Sequence, residues 1–131
     1  ELKKLFASDA FGGPRRSASF RDDSKRFFVN YLKQVSIVFG AAWGGRKYSV
    51  RSATALRAFI RVAPDVVRRL DQEHADRGDY RAIGRVIAPW GRRIGDQRFE
   101  SDGAWKRNGT TVESLARELK LALEYPEGAG V

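Results

Sequence analysis

The residues in this sequence with the clearest chemical capacity are arginines that repeat at helical spacing. Arg57 and Arg61 lie four positions apart. Arg81 and Arg85 repeat that step. Residues four apart share one face of an α-helix, so each pair presents two guanidinium groups on one side. A guanidinium group binds a phosphate or a carboxylate through two parallel hydrogen bonds, which a lysine ammonium group does not provide. The pattern therefore predicts two helix faces that contact phosphates. A second interpretation, in which these are ordinary solvated helix faces with some arginines paired to Asp65, Asp71 or Asp79, stays open.

Two further cations, Arg46 and Lys47, follow a pair of glycines and precede a helix that Ser52 is expected to cap. The free N–H groups of a helix start, beside nearby cations, suit the binding of an anion. A second interpretation, in which the glycines only let the chain reverse between packed helices, stays open. We predict six phosphate-contacting side chains: Arg46, Lys47, Arg57, Arg61, Arg81 and Arg85.

The positive charge of the chain is concentrated in the same region. The 131 residues carry 25 Lys plus Arg against 16 Asp plus Glu, a formal net charge of +9. Residues 46–98 hold 13 cations against six acids. Arg68 and Arg92 follow the two arginine pairs at plus seven, so each row of three aligns, the first only if its helix continues through Pro64. Nucleic-acid affinity arises from displacing counterions at several phosphates, so this local excess favours DNA or another polyanion as partner.

Other kinds of site find little support. The chain has no cysteine, which excludes a disulfide scaffold and a thiolate zinc site. The only histidine, His74, lies in a polar turn, and Asp96, Glu100 and Asp102 lack the alternation of a calcium-binding loop. No glycine-rich stretch ends in Gly-Lys-Ser or Gly-Lys-Thr, as a nucleotide-binding loop requires. We predict no catalytic residue, no metal ligand and no cofactor, and hence a domain that is not an enzyme by itself.

Apolar residues at three- and four-residue steps predict the helices that position the arginines. The first long helix is expected to begin within residues 22–24, which are good N-caps, and to end at Trp43 before two glycines. The next is expected to be capped by Ser52. Pro64 either kinks that helix or opens a new one.

The second half of the chain carries two more helices. Asp79 is expected to cap one of them, and Pro89 to weaken its last turn. Residues 91–109 contain four glycines and little periodicity, so we expect an irregular surface segment there. Thr110 and Glu113 have the spacing of a capping box, which should open the last helix.

The tryptophans could either stack on exposed bases or pack in the core. Trp43 and Trp90 end apolar helical stripes, which favours core packing for both. Trp105 lies in the segment expected to be irregular, between a glycine and a cation. We expect it to be the most exposed of the four aromatic residues that lie beside glycines or cations, which are Trp43, Tyr48, Trp90 and Trp105.

Together these elements predict a mainly α domain over residues 1–131, an orthogonal or irregular bundle of four to five helices with at most a minor strand element. Residues 1–8 have the spacing of a helix tail. Because the chain begins at Glu1 and not at Met, we expect a C-terminal fragment of a longer protein. No apolar run approaches the roughly 20 residues of a membrane span, and no signal-peptide pattern opens the chain, so we expect a cytoplasmic location without membrane contact.

The order of these pieces resembles a known family. The stretches "LFASDAFGGPRRSASF" and "FFVNYLKQVSIVFGAAWGGRKYSVRSATALRAFIRVAPDVV" are similar to the region after the core of DGQHR-domain proteins, a group that includes the DndB-type regulators of DNA phosphorothioate modification. The resemblance covers residues 5–70 and rests on aromatic and glycine placement. The Asp-Gly-Gln-His-Arg signature is absent from this chain, so no functional residue is carried over. The resemblance implies a helical part that follows a ParB/sulfiredoxin-like domain in a bacterial DNA-modification or defence system.

The sequence thus predicts a non-catalytic, basic helical domain of a DNA-associated protein. In the alternative interpretation the chain is a protein–protein interaction module. Its arginine-rich face would then dock on an acidic partner, such as another subunit or a missing N-terminal domain.

Overall fold

A computed structural model gives the structure of residues 18–124, with side chains from residue 23 onward. The helix tail predicted for residues 1–8 lies outside the described residues. Four long helices form the bundle: α1 (Ala18–Val38), α3 (Ala53–Gln72), α4 (Tyr80–Arg93) and α6 (Val112–Glu124). Shorter elements join them: the single-turn helices α2 (Gly40–Gly44) and α5 (Ala104–Arg107), and a 3-10 helix (Asp96–Phe99).

The predicted fold class, a mainly α bundle with at most a minor strand element, is confirmed. Within residues 18–124 the β-type contact is one isolated antiparallel bridge between Tyr48 and Glu100. Beside it, the Ser49 N–H donates to the Phe99 carbonyl at 2.7 Å. This bridge ties the loop before α3 to the segment that follows the 3-10 helix.

The bounds predicted for the first long helix are wrong at both ends. Helix α1 begins at Ala18, and Ser24, expected to be an N-cap, is buried inside the helix. Phe39 leaves the helical conformation, with φ −109° and ψ 49°, so Trp43 lies in the separate helix α2. The interruption is a single residue, because the Phe39 N–H still donates to the Val35 carbonyl at 3.0 Å.

Two of the four predicted N-caps, Ser52 and Asp79, are confirmed. The Ser52 hydroxyl accepts the Ala55 N–H at 3.2 Å at the start of α3. The Asp79 carboxylate accepts the N–H groups of Arg81 and Ala82 at 3.0 and 3.2 Å at the start of α4. Each cap satisfies backbone donors that have no partner within the helix.

The cap predicted for the last helix, a box of Thr110 and Glu113, is wrong by one residue. Thr111 Oγ1 accepts the Ser114 N–H at 3.0 Å, and Ser114 Oγ accepts the Thr111 N–H at 2.9 Å. The box therefore uses Ser114 where glutamate was expected. The Thr110 hydroxyl instead donates to the Trp105 carbonyl at 2.8 Å, a tertiary contact that its position in the sequence does not reveal.

Prolines do not end the two helices that carry the arginine rows. Pro64 lies inside α3, which continues to Gln72, and Pro89 lies inside α4, which continues to Arg93. Proline removes one backbone donor from the helix interior and bends the helix without necessarily stopping it. Both rows of three arginines therefore lie on unbroken helices.

The apolar stripes of the long helices meet in one core, with Trp90 near its centre. The Trp90 side chain is 0% exposed, and its ring centroid lies 5.9 Å from that of Phe59. Its indole N–H donates to the Leu119 carbonyl at 2.9 Å, which joins α4 to α6. Core packing is thus confirmed for Trp90 and for Trp43, which is partly buried. Trp105, expected to be the most exposed, is also partly buried against the core.

Helices α1 and α4 pack closely and run in the same direction. A Cβ atom at Gly84 would lie 2.7 Å from Gln34 Nε2, and one at Gly91 would lie 3.5 Å from Val38 Cγ1. The glycines therefore allow the two helix backbones to approach each other. Gln34 Nε2 also donates to the Tyr80 carbonyl at 2.8 Å. These contacts turn one side of α4 toward α1.

The buried phenol of Tyr31 gives the fold a predictable response to high pH. Its hydroxyl donates to the Phe59 carbonyl at 2.6 Å. Burial, with a smaller contribution from the carboxylate of Asp65, raises the pKa of Tyr31 well above its usual value. The phenol ionises near pH 10 in the unfolded chain, so its contribution to stability is complete below about pH 10 and is lost as the pH rises toward the folded-state pKa.

We expect Tyr31→Phe to lower the free energy of unfolding by about 1 kcal/mol at neutral pH, because one hydrogen bond usually contributes that much. Above about pH 10 the free energy of unfolding of the wild type should fall with pH more steeply than that of the variant, by up to about 1.4 kcal/mol per pH unit. Urea unfolding followed by circular dichroism at pH 7 to 11 measures this difference. Tyr80→Phe, at an exposed position, is the matched control. Parallel pH curves for wild type and Tyr31→Phe would contradict the prediction.

Candidate polyanion-binding surface

Helix α4 is the most strongly cationic element among the described residues. It carries four arginines and no acidic residue: Arg81, Arg85, Arg92 and Arg93. At 3.6 residues per turn, Arg81, Arg85 and Arg92 fall within an arc of about 40°. All three are exposed, and the arc lies opposite the buried stripe that contains Ile83. The outward side of α4 therefore presents a row of guanidinium groups.

Helix α3 repeats this arrangement with the same spacing. Arg57, Arg61 and Arg68 are exposed and also fall within an arc of about 40°, on the side away from the buried Phe59 and Val66. Each row extends over 11 positions, or about 16 Å of helix. The two rows project from continuous helices, so the backbone positions of their arginines keep a defined spacing.

Arg46 and Lys47 lie in the loop between α2 and α3, and both are exposed. The Lys47 carbonyl accepts the Ser101 N–H at 2.7 Å, which fixes this part of the loop. A Cβ atom at Gly45 would lie 2.6 Å from Tyr48 Cδ2. Gly45 is therefore needed for the close approach of the Tyr48 ring, which favours chain reversal as the reason for this glycine.

Three exposed ion pairs involve cations outside the set of six predicted phosphate-contacting residues. Exposed pairs join Arg26 to Asp76 and Arg77 to Asp71 at 3.0 and 2.8 Å. A third joins Arg68 to Asp65 at 3.0 Å. Exposed pairs of this kind contribute about 0–1 kcal/mol each.

Among the described residues, five of the six predicted side chains make no ion pair: Arg46, Lys47, Arg57, Arg81 and Arg85. Their charges are thus not cancelled by described carboxylates. All six predicted side chains, Arg61 included, are exposed.

The prediction of an irregular surface segment at residues 91–109 is wrong at Arg98 and Phe99, which are buried. The Arg98 side chain is 8% exposed and binds the Glu118 carboxylate through two nitrogens at 2.8 and 2.7 Å. A third nitrogen donates to the Thr110 hydroxyl at 2.8 Å. The guanidinium carbon lies 6.0 Å from the centroid of the Trp105 ring, a cation–π distance. Arg98 therefore holds the segment against α6 and is not part of the exposed positive surface.

Asp96 and Glu100, which were compared with a calcium-binding loop in the sequence, each make a separate structural contact. Asp96 accepts the Ala42 N–H at 2.9 Å, and Glu100 takes part in the β bridge. No group of three or more His, Cys, Asp or Glu side chains that could hold a metal ion occurs within the part of the chain that the structure describes. His74 is exposed in a turn with φ 56°. In the same part of the chain, every helix is too short or too polar to cross a membrane.

Two adjoining grooves lie beside the arginine rows, at the place where three helices meet. The first, with a volume of about 380 Å³, lies between α3, α4 and α6. Its lining includes Arg69, Glu73, Arg85, Ala88, Pro89 and Leu123. The second, of about 240 Å³, lies between α3 and α6. Its lining includes Asp65, Arg68, Arg69, Lys120, Leu123 and Glu124.

The grooves connect Arg85 to cations that sequence reasoning left out of the predicted site. Arg68 stood in the row of three, but Arg69 lies outside the arc of that row and Lys120 lies on a different helix, so neither was part of the predicted pattern. Arg69 also donates to the Leu123 carbonyl and so caps the C-terminal end of α6.

Comparison of the chain with protein-family models, curated proteins and solved structures finds no match.

Proposed function

We propose that this chain is a non-catalytic, basic helical domain that contacts nucleic-acid phosphates as part of a DNA-associated protein. The observation that carries the proposal is the outward side of α4, where exposed arginines are aligned and the helix contains no acidic residue. A phosphate-contacting surface needs several cations close together, because each contact adds a released counterion to the binding free energy.

The row on α3 supports the same function. Arg57, like Arg81 and Arg85, makes no ion pair with a described carboxylate. Guanidinium groups that are not engaged with carboxylates bind phosphates without first breaking an internal pair. Arginines on helix faces contact the sugar–phosphate backbone at any sequence, so we expect little preference between unrelated duplexes.

The resemblance of residues 5–70 to DGQHR-domain proteins supports the DNA-associated setting. On that resemblance, the chain belongs to a bacterial DNA-modification or defence system and acts in the cytoplasm. The arginine rows then supply affinity for the nucleic acid, and any chemistry is the task of another part of the protein.

Fluorescence anisotropy with a labelled 20-bp DNA duplex across 50–200 mM salt tests the proposal. About five phosphate contacts give a slope near −4.5 in log affinity against log salt, so affinity should fall by about 500-fold over this range. A second duplex of unrelated sequence should give the same curve within about threefold. Absence of binding at about 50 mM salt, or an affinity that salt does not change, would reject phosphate contact as the function.

A further inference from the structure

The loop between α2 and α3, here called the cationic loop because it carries Arg46 and Lys47, is held in place by a segment distant in the sequence. The Ser49 N–H donates to the Phe99 carbonyl at 2.7 Å, and the Ser101 N–H donates to the Lys47 carbonyl at 2.7 Å. The hydroxyl groups of Ser49 and Ser101 also share a hydrogen bond of 2.7 Å. These contacts determine where the backbone of the two cations lies.

The segment that holds the cationic loop is itself held by a buried arginine. Arg98 lies directly before Phe99, and its side chain is 8% exposed. Two of its nitrogens donate to the Glu118 carboxylate on α6 at 2.8 and 2.7 Å, and the third donates to the Thr110 hydroxyl at 2.8 Å. A guanidinium group bound through two parallel hydrogen bonds has a defined orientation. A chain of directional contacts therefore runs from α6 through Arg98 to the cationic loop.

Phe99 anchors the same segment to the core, but in a different way. Its side chain is 0% exposed, and its ring centroid lies 4.8 Å from that of Phe39. Apolar burial holds a side chain in the core without a preferred direction, whereas hydrogen bonds depend on angle as well as distance. Arg98 thus supplies the directional constraint that the apolar anchor lacks.

We propose that Arg98, paired with Glu118, is a positioning residue for the phosphate contacts of Arg46 and Lys47. The inference rests on the proposed function and adds to it a residue that is too deeply buried to touch the nucleic acid. The Arg98 pair sets the direction of the 3-10 helix, and the segment after this helix sets the cationic loop. The loop leads directly into α3, where Arg57 begins the arginine row. Without the pair, the loop cations lose their alignment with that row.

Glu118→Ala tests the proposal because net charge and positioning predict opposite results. The variant raises the net charge by one, which by itself favours DNA binding. Loss of one phosphate contact weakens binding by about eightfold at 100 mM salt and lowers the salt slope by about 1. We therefore expect duplex anisotropy to show weaker binding by about eightfold or more. Glu113→Ala is the matched control, with the same charge change at an exposed position of α6, and should leave the affinity unchanged or slightly higher.

The two possible failures of this experiment are distinct. If the wild type binds the duplex and both glutamate variants bind equally well, the positioning role is overturned and the proposed function stands. If the wild type does not bind at about 50 mM salt, the proposed function is rejected and this inference with it.

Arg98→Gln is a second variant, which keeps the test valid if one variant does not fold by circular dichroism. It lowers the net charge by one, yet it should weaken binding by about the same eightfold as Glu118→Ala. Arg117→Gln, at an exposed position of α6, is its charge-matched control and should change the affinity by less than about threefold. Equal effects of the two arginine variants would overturn the proposal.

A double-variant background shows whether the effect passes through the cationic loop. In a chain with Arg46→Gln and Lys47→Gln, Glu118→Ala should change the affinity by less than about twofold, because no loop contact remains to be misplaced. In a chain with Arg81→Gln and Arg85→Gln, its eightfold effect should persist. An eightfold effect in both backgrounds would place the action of the pair elsewhere and overturn the proposal.

Amide hydrogen exchange measured by NMR tests the positioning without DNA. In Glu118→Ala the amides of Ser49 and Ser101 should exchange at least tenfold faster than in the wild type, because local opening of the loop becomes easier. The amide of Phe59, inside α3, should change by less than about threefold. Equal acceleration of all three amides would show a general loss of stability and overturn the specific role of Arg98.

Discussion

Replacing Arg81 and Arg85 together with glutamate is expected to lower the affinity for a DNA duplex by about 100-fold at 100 mM salt. Loss of two phosphate contacts alone lowers the affinity by about 60-fold, since each contact contributes about 0.9 to the salt slope. The introduced carboxylates then repel the phosphates. Both side chains are exposed and the α4 N-cap is a different residue, Asp79, so the helix should remain folded.

The measurement is duplex anisotropy across a salt series, in which the slope should fall by about 2. Lys25→Glu with Lys33→Glu is the matched control, because it makes the same change in net charge on exposed positions of α1. This control should change the affinity by less than about fivefold, through long-range charge alone. If the two double variants weaken binding equally, the protein responds to net charge, and α4 is not a specific contact surface.

Trp90→Ala is expected to lower the free energy of unfolding by about 4 kcal/mol, near the upper part of the range for large-to-small core substitutions. The Trp90 side chain is 0% exposed, and its ring lies 6.2 Å from that of Tyr31 and 5.9 Å from that of Phe59. Removing it opens a cavity between helices α1, α3 and α4. It also removes the indole N–H that donates a hydrogen bond to the Leu119 carbonyl at 2.9 Å.

Urea unfolding monitored by circular dichroism gives the free energy directly. Trp43→Ala deletes the same side chain from a partly buried position, so we expect about half the loss, near 2 kcal/mol. Comparing the two variants separates the effect of burial at the centre of the core from the effect of removing any tryptophan. A loss at Trp90 that is no larger than the loss at Trp43 would show that the core is not centred where the structure places it.

The parts of the fold that the sequence predicts well depend on residues close together in the chain. Periodic apolar residues identified the four long helices. The caps at Ser52 and Asp79 were also correct, because a cap involves only the next two or three residues. The fourfold spacing of the arginines placed each row on one helix face for the same reason.

The parts that the sequence predicts poorly depend on contacts across the bundle. The last helix is capped by Thr111 because Thr110 is held by the Trp105 carbonyl. Arg98 looked like one more surface cation, but it is buried against Glu118, 20 positions away. The break at Phe39 likewise had no local signal, since no proline marks it and a glycine only follows.

The amino-acid sequence by itself determined the helical class, the excess of positive charge and the alignment of arginines on two helices, because composition and spacing up to four residues decide these properties. Only the tertiary structure decided which cations remain exposed, which of them the fold uses, and that Arg85, Arg69 and Lys120 line adjoining grooves. Helices that are distant in sequence meet by packing their apolar faces, and side chains near such a contact acquire neighbours that no local pattern encodes.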